Sequence, residues 1–561
     1  TTVVVYKYLR GYLLKAVSAS TPSSVRGPRR TPTFKVSHSP SEWETRVAVM
    51  VRLCVVVVAL ATLACGSPAP NDQNETYYSL PDELLIGAGT SAMQSEGAWD
   101  EDGKAESTVD YVFHTGKLET QGFQDAHTHD RGADSYHRYK DDVAMAAKLG
   151  LQVYRFSISW SRVLPEADAT RPNKKGVQFY HDLIDEVRAH NITPLVTLYH
   201  FDHPQILEAE FKGWLNRKMV DKFREYATFI FAEYGHKVKL WTSMNEPNVY
   251  CSYWPKLEVD VGFLQPEDTQ NIYPCLHNFV LGHGEARKAL TQSGHDGLLG
   301  FTVTTLNSRP NSTRPEDAYA SEAFNQFYTG MLLHPLVFGD YPPLVKEIAK
   351  DILPVFSDEE KAMLKNSTDY IGLNVYYGLV VSYRSPNSPR IPVIMPMTQL
   401  LEQLDFVNVG YRDPQGGTLA DYPLNTYKKP IMITENGYGD IDNHGTEDNA
   451  RAVYHSAFMR SMISAVRDFG VRVIGYCAWS LVDSFEWSAG YDRPFGLVHV
   501  DIKGGSYNRT LKASASFWQE LAERRIVPLV EMPMPSSASA PATASALVAL
   551  LLTTAVRALS C

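Results

Sequence analysis

Two glutamates in this chain each close a short apolar run. Glu246 ends the run in KLWTSMNEPN (residues 239–248), and Glu435 ends the run in KPIMITENGY (residues 429–438). Each run reads as a buried strand that stops at a carboxylate. One such glutamate alone is most often a solvated loop charge or a helix cap. Two of them on the strand ends of one barrel can face each other across a pocket. One carboxyl can then give a proton to a departing oxygen while the other attacks carbon, which is the division of labour that cuts a glycosidic bond.

The elements that would carry this pair repeat along the chain. Eight apolar runs occur between residues 78 and 528: 84–92, 153–159, 193–200, 239–246, 298–305, 369–376, 430–437 and 473–480. They are near-continuous rather than alternating, as strands buried on both faces are. Amphipathic stretches lie between them, at 135–150, 179–191, 218–235 and 452–470 among others, with apolar residues at helical spacing. No composition break divides the region. The predicted fold is α/β, a single (β/α)8 TIM barrel with long βα loops. Such barrels build their sites at the carboxyl ends of the strands. Here those ends carry Gln94, Arg155, His200, Asn245, Glu246, Asn374, Tyr376, Glu435, Asn436 and Trp479.

Taken in order, GAGTSAMQSEGAW, YRFSISWSRVLP, TLYHFDHPQ, TSMNEPN, IGLNVYY, ITENG and GYCAWSLVDSFEWSAGYDRPFGLVHVD make the region 78–528 resemble glycoside hydrolase family 1. NEP and TENG are short enough to arise by chance; in this order, with the long last motif, the set is specific. The resemblance implies a retaining β-glycosidase of the β-glucosidase type, in an animal or arthropod style. Glu246 would be the acid/base and Glu435 the nucleophile, about 5–5.5 Å apart in retaining enzymes. Arg155 would hold Glu435 ionised, and Tyr376 would orient it. Gln94, His200, Asn245, Trp479, Glu486 and Trp487 would bind the sugar. No cofactor or metal is implied, and no CxxC or HExxH pattern suggests one. Three departures stand out. Phe201 and His203 occupy the Trp and Leu positions of the family's TLYHWDLPQ, Ser484 occupies the Asn position of DNFEW, and CSYWPKLEVDVGFLQPED replaces a glycine-rich loop after NEP. The inner sugar site is preserved, so the departures put the aglycone in question. A thioglucosidase acting on glucosinolates is an alternative, weakened by the retention of Glu246. A Klotho-like binding protein is a second, weakened by the retention of both carboxylates.

The rest of the sequence bounds compartment and partners. With 561 residues, 44% hydrophobic and 21% charged, the composition is that of a large globular protein. A net charge of −10 and the absence of basic runs argue against a nucleic-acid partner. The expected partner is a small β-glycoside or oligosaccharide. Met50 is the first methionine; residues 50–66 have the layout of a secretory signal peptide, and 1–49 read as upstream read-through or an extension. Residues 529–561 end in small residues, a polar spacer and an apolar stretch, the order of a lipid-anchor signal. The expected location is secreted, or the cell surface if anchored. Sequons at Asn74, Asn311, Asn366 and Asn508 suit a glycoprotein; a fifth, at Asn191, is followed at once by Thr193-Pro194. In an oxidising compartment Cys251 and Cys275 are expected to pair across the loop after Glu246, leaving Cys477 as a buried thiol.

Overall fold

The computed structural model describes residues 75–119, 122–125, 129–385, 404, 407–413 and 426–531. The expected leader (1–66), Asn74 and the tail from 532 onward lie outside the described residues.

Each of the eight apolar runs forms a strand: β1 (Leu85–Gly89), β2 (Val153–Ser157), β3 (Thr193–Tyr199), β4 (Leu240–Asn245), β5 (Leu298–Thr305), β6 (Tyr370–Val375), β7 (Ile431–Asn436) and β8 (Val473–Trp479). They close a parallel barrel in the order β1-β8-β7-β6-β5-β4-β3-β2. Every residue of β2, β6 and β7 is buried. That is why these runs do not alternate: one face packs on helices and the other on the barrel interior. The interior is filled by Val153, Leu195, Tyr370, Met432 and Cys477. Tyr370 fits because β5 offers Gly300 opposite it, where a Cβ would lie 2.2 Å from the ring. Its hydroxyl donates to Trp241 O at 2.8 Å and pairs with Thr242 Oγ1 at 2.9 Å, so the one polar atom of this plug is satisfied.

Seven helices matter for the site: α1 (Ser135–Lys148), α2 (Lys174–Ala189), α3 (Lys218–Tyr234), α4 (Pro247–Asp260), α5 (Tyr273–Ser293), α6 (Asn449–Phe469) and α7 (Ala515–Arg524). α2 buries Phe179, Tyr180, Leu183, Ile184 and Val187, the i, i+3/i+4 stripe its sequence shows. It starts five residues before the amphipathic stretch, because the polar first turn carries no periodicity.

The segment between Cys251 and Cys275 differs from the expected loop. Cys251 lies within α4, a 3-10 turn follows at Pro266–Thr269, and Cys275 opens α5. Two features hide α4 in the sequence. Pro255 sits inside it, and it is buried on most sides, so it lacks one apolar face. The cysteines do pair, with Cα atoms 5.8 Å apart, and Cys477 is a buried free thiol. Two small sheets were not among the predicted runs. Ser308–Pro310, Gly378–Tyr383 and Val407–Asp413 form one; Val498–Val500 and Arg509–Leu511 form the other.

Candidate active site

Both glutamates stand where a strand loses its regular register. The β4–β5 pairing shifts between Thr242 and Asn245, and the β6–β7 pairing shifts between Ile433 and Glu435. Such irregularities re-aim a side chain at a barrel rim. Glu246 follows directly in the left-handed region (φ 45°, ψ 54°), and Pro247 then starts α4. A non-glycine residue in that conformation is a strained one, of the kind that collects at functional sites.

A chain of polar contacts links the two carboxyls. Arg155 on β2 is fully buried; its Nη1 donates to Glu435 Oε1 at 2.6 Å and its Nη2 to Asn245 Oδ1 at 2.7 Å. Tyr376 Oη donates to the other Glu435 oxygen at 2.7 Å. Asn374 Nδ2 donates to Glu246 Oε1 at 2.8 Å and to Asn245 Oδ1 at 3.1 Å. Thr434 Oγ1 donates to Asn374 Oδ1 at 2.7 Å, which fixes the orientation of that amide. Since a guanidinium only donates, Asn245 must turn its oxygen to Arg155 and its NH2 to His200 Nε2, 3.0 Å away. His200 therefore accepts there and is neutral. Burial first, then the Arg155 charge, hold its pKa well below the ordinary value.

The electrostatics separate the two glutamates. Burial, and then the negative charge of Glu435, raise the pKa of Glu246 to about 7; contacts with Thr304 and Asn374 oppose this. Glu435 has a cation and a phenol on its two oxygens. One carboxyl is thus pushed toward its protonated form and the other is charge-paired, the division that suits an acid and a nucleophile.

The expected sugar-binding residues gather round this pair. Trp479 Nε1 donates to Glu486 Oε1 at 2.9 Å, and its ring stacks on His200 with centroids 6.0 Å apart. The Trp479–Ser480 peptide is cis. Burial raises the pKa of Glu486 to about 8. Gln94 is buried; its Oε1 accepts from Ser91 Oγ and its Nε2 donates to Phe485 O, beside Glu486. Trp487 packs against Phe201 and Trp254. Phe201 is buried between His200, Tyr250 and Trp487, so it forms the back of the sugar wall rather than an open aglycone surface. His203 points away from the pocket, into a buried contact with Tyr199 and Glu208. Asn374 and Thr434 carry more of the network than the sequence reading gave them. Their signal was position: Asn374 lies at the carboxyl end of β6, two residues before Tyr376, and Thr434 directly precedes Glu435.

Residues 76–526 match the Glycosyl hydrolase family 1 model. The chain belongs to that family. β-Glucosidase 22 of rice is 36% identical over 484 residues, 81% of this chain and 89% of that protein. The rice Os3BGlu6 β-glucosidase, solved in a covalent complex with glucose, superposes with a TM-score of 0.71 at 29% identity, over 81% of this chain and 99% of that one. An aphid myrosinase superposes with a TM-score of 0.72 at 31% identity, over 80% of this chain and 99% of that one. This chain is thus a retaining β-glycosidase, an O-glycosyl hydrolase acting on sugar substrates, built on a (β/α)8 barrel.

Proposed function

We propose that this family 1 enzyme hydrolyses terminal β-D-glucosides in two steps, with Glu435 as nucleophile and Glu246 as acid/base. Glu435 attacks the anomeric carbon as the glycosidic bond breaks, and the leaving oxygen takes the proton of Glu246. The sugar is then esterified to Glu435. That ester is neutral, so the charge that raised the pKa of Glu246 is gone. Glu246, now ionised, takes a proton from water as the water attacks the anomeric carbon and Glu435 leaves. The observation that carries this reading is the contrast between the carboxyls: Arg155 and Tyr376 on Glu435, burial and a like charge on Glu246.

Each supporting group has a task. Asn245, held by Arg155 and Asn374, presents its amide beside the reacting centre for the sugar 2-hydroxyl. Gln94, His200 and Glu486 supply acceptors and donors for the outer hydroxyls, and Trp479 supplies a stacking face. Trp487 can donate from its indole nitrogen. A thioglucoside is a second substrate class to test, because an aphid myrosinase has the same fold at 31% identity. A stabilised thiolate leaves without a proton, so a site that raises the pKa of Glu246 suits an oxygen leaving group better.

We further propose export: the signal layout at 50–66 and the sequons support it. Asn311, Asn366 and Asn508 are exposed. Surface attachment through a lipid at the C-terminus rests on the order of residues in 529–561 alone. Phospholipase treatment of expressing cells should release active protein, and activity found wholly in the medium counts against attachment.

The test is a substrate panel scored by kcat/KM: p-nitrophenyl β-glucoside, β-galactoside and β-fucoside, cellobiose and a glucosinolate. Glucosides should lead. Glu435→Ala should abolish turnover by a factor of at least about 10⁴, and undiminished turnover would sink the assignment.

A further inference from the structure

We infer that Tyr454 and His455, neighbours on α6, are positioning residues for the nucleophile: through Asn436 and Tyr476 they fix where the Tyr376 phenol meets Glu435. The inference rests on the reading of Glu435 as nucleophile. The need for such a device lies in the backbone. The β6–β7 pairing shifts between Ile433 and Glu435, and the β7–β8 pairing shifts between Ile433 and Asn436. Regular ladder hydrogen bonds therefore do not hold the end of β7 on either side, and side chains take over that task.

The side chains form one directed chain. Asn436 Nδ2 donates to Val375 O at 2.6 Å and to Tyr454 Oη at 2.8 Å. A carbonyl oxygen only accepts, so the amide orientation is forced, and Asn436 Oδ1 is left to accept from Tyr476 Oη at 2.5 Å. Tyr454, having accepted from Asn436, spends its own proton on Tyr376 O at 3.2 Å. Tyr476, having spent its proton on Asn436, accepts from His455 Nδ1, 2.8 Å away. His455 is thereby fixed as the Nδ1–H tautomer. Burial, and then the Arg451 charge, lower its pKa to about 3, so the ring stays neutral. Its Nε2 is buried without a hydrogen-bond partner among the described residues, and the Trp518 ring stands T-shaped to it at 5.0 Å between centroids.

Packing does not account for this arrangement. Asn436, His455 and Tyr476 are fully buried, where a polar group is costly unless paired. Apolar side chains would fill the same space without that cost. The donors and acceptors instead run head to tail, from His455 through Tyr476, Asn436 and Tyr454 to Tyr376 O, so each bond polarises the next. The chain ends where the chemistry begins. Tyr454 holds the backbone oxygen of Tyr376, Phe495 seats its ring edge-on at 5.9 Å, and its own hydroxyl donates to Glu435. Asn436 is the hub because it directly follows Glu435, so one amide ties the nucleophile's strand to the strand end that carries the phenol.

The experiment is a double-mutant cycle on the intact protein, read as the second-order rate at which a 2-deoxy-2-fluoro-β-glucoside esterifies the enzyme. Tyr454→Phe keeps the ring and removes only the hydroxyl. It should slow labelling roughly tenfold or more, because small displacements of a reacting group are costly. Tyr376→Phe should slow labelling too, and adding Tyr454→Phe to that variant should change the rate by less than about twofold. A merely structural hydroxyl would cost the same factor in both backgrounds, and that result overturns the inference. His455→Leu should reproduce the loss, and His455→Asn, which puts a donor back near the place of Nδ1, should recover most of it. Equal losses in the two His455 variants also overturn the inference. Peptide mapping separates the two readings. A label on Glu435 with additive losses overturns the positioning chain alone, whereas a label on another residue overturns the nucleophile assignment and this inference together.

Discussion

Glu246 must be neutral when the bond breaks, and burial beside Glu435 serves this at a cost in stability. Its pKa is about 7 in the folded protein against 4.5 for an ordinary glutamate. The folded state therefore binds more protons between those values, and stability falls as pH rises through that window. At about 1.4 kcal/mol per unit, the loss is on the order of 3 kcal/mol. Glu246→Gln removes the charge but keeps the shape. It should stabilise the protein by up to about that amount at pH 8 and by nothing at pH 4, a contrast that denaturant melts at the two pH values would reveal. The same group sets the alkaline limb of kcat/KM. Activity should fall as pH rises through about 7, and the limb should vanish in Glu246→Gln assayed on a substrate whose leaving group needs no proton. A limb at the same pH in that variant would assign the titration to another group. Both glutamates were legible from the sequence because each closes an apolar run, and the roles of Arg155 and Tyr376 were legible through the family resemblance. Asn374 was in the same set of strand ends, but its bridging role depends on rotamers that no spacing encodes.

Between the strand ends and the solvent, the elements after β3 and β4 carry a buried polar cluster. His203 Nε2 donates to Glu208 Oε1 at 2.8 Å, and its Nδ1 accepts from Tyr199 Oη at 2.9 Å. On α4, Glu258 receives the Thr108 hydroxyl at 3.1 Å; burial and the Glu208 charge hold its pKa well above the ordinary range. His203→Leu would restore the residue type the family shows, yet it strands Glu208 in the interior. It should cost about 3–5 kcal/mol in chemical denaturation, and Glu208→Gln in the same protein should recover much of that. Additive losses would contradict the pairing. The Cys251–Cys275 bond, 24 residues apart in sequence, ties α4 to α5. By chain entropy it contributes about 3.5 kcal/mol, so replacing both cysteines with serine should lower stability by about that much and leave kcat nearly unchanged. The strands were readable because both their faces are buried, which leaves a continuous apolar run. α4 was not readable for the corresponding reason: a helix buried on most sides has no single stripe.

At the scale of the molecule, the barrel packs its core and builds its site in different layers. The interior plug of Val153, Leu195, Tyr370, Met432 and Cys477 holds the strands, and the loops at their carboxyl ends hold the site. Residues 75–531 alone should then fold and retain kcat/KM within about twofold, since every residue of the network lies inside them. The most direct test of the central claim is to trap the intermediate. A 2-deoxy-2-fluoro-β-glucoside with a good leaving group destabilises both transition states but allows the first step to proceed. Intact-mass analysis should show one fluorosugar per chain, and peptide mapping should place it on Glu435. A label on Glu246 or elsewhere, or continued turnover with no label at all, would contradict the account.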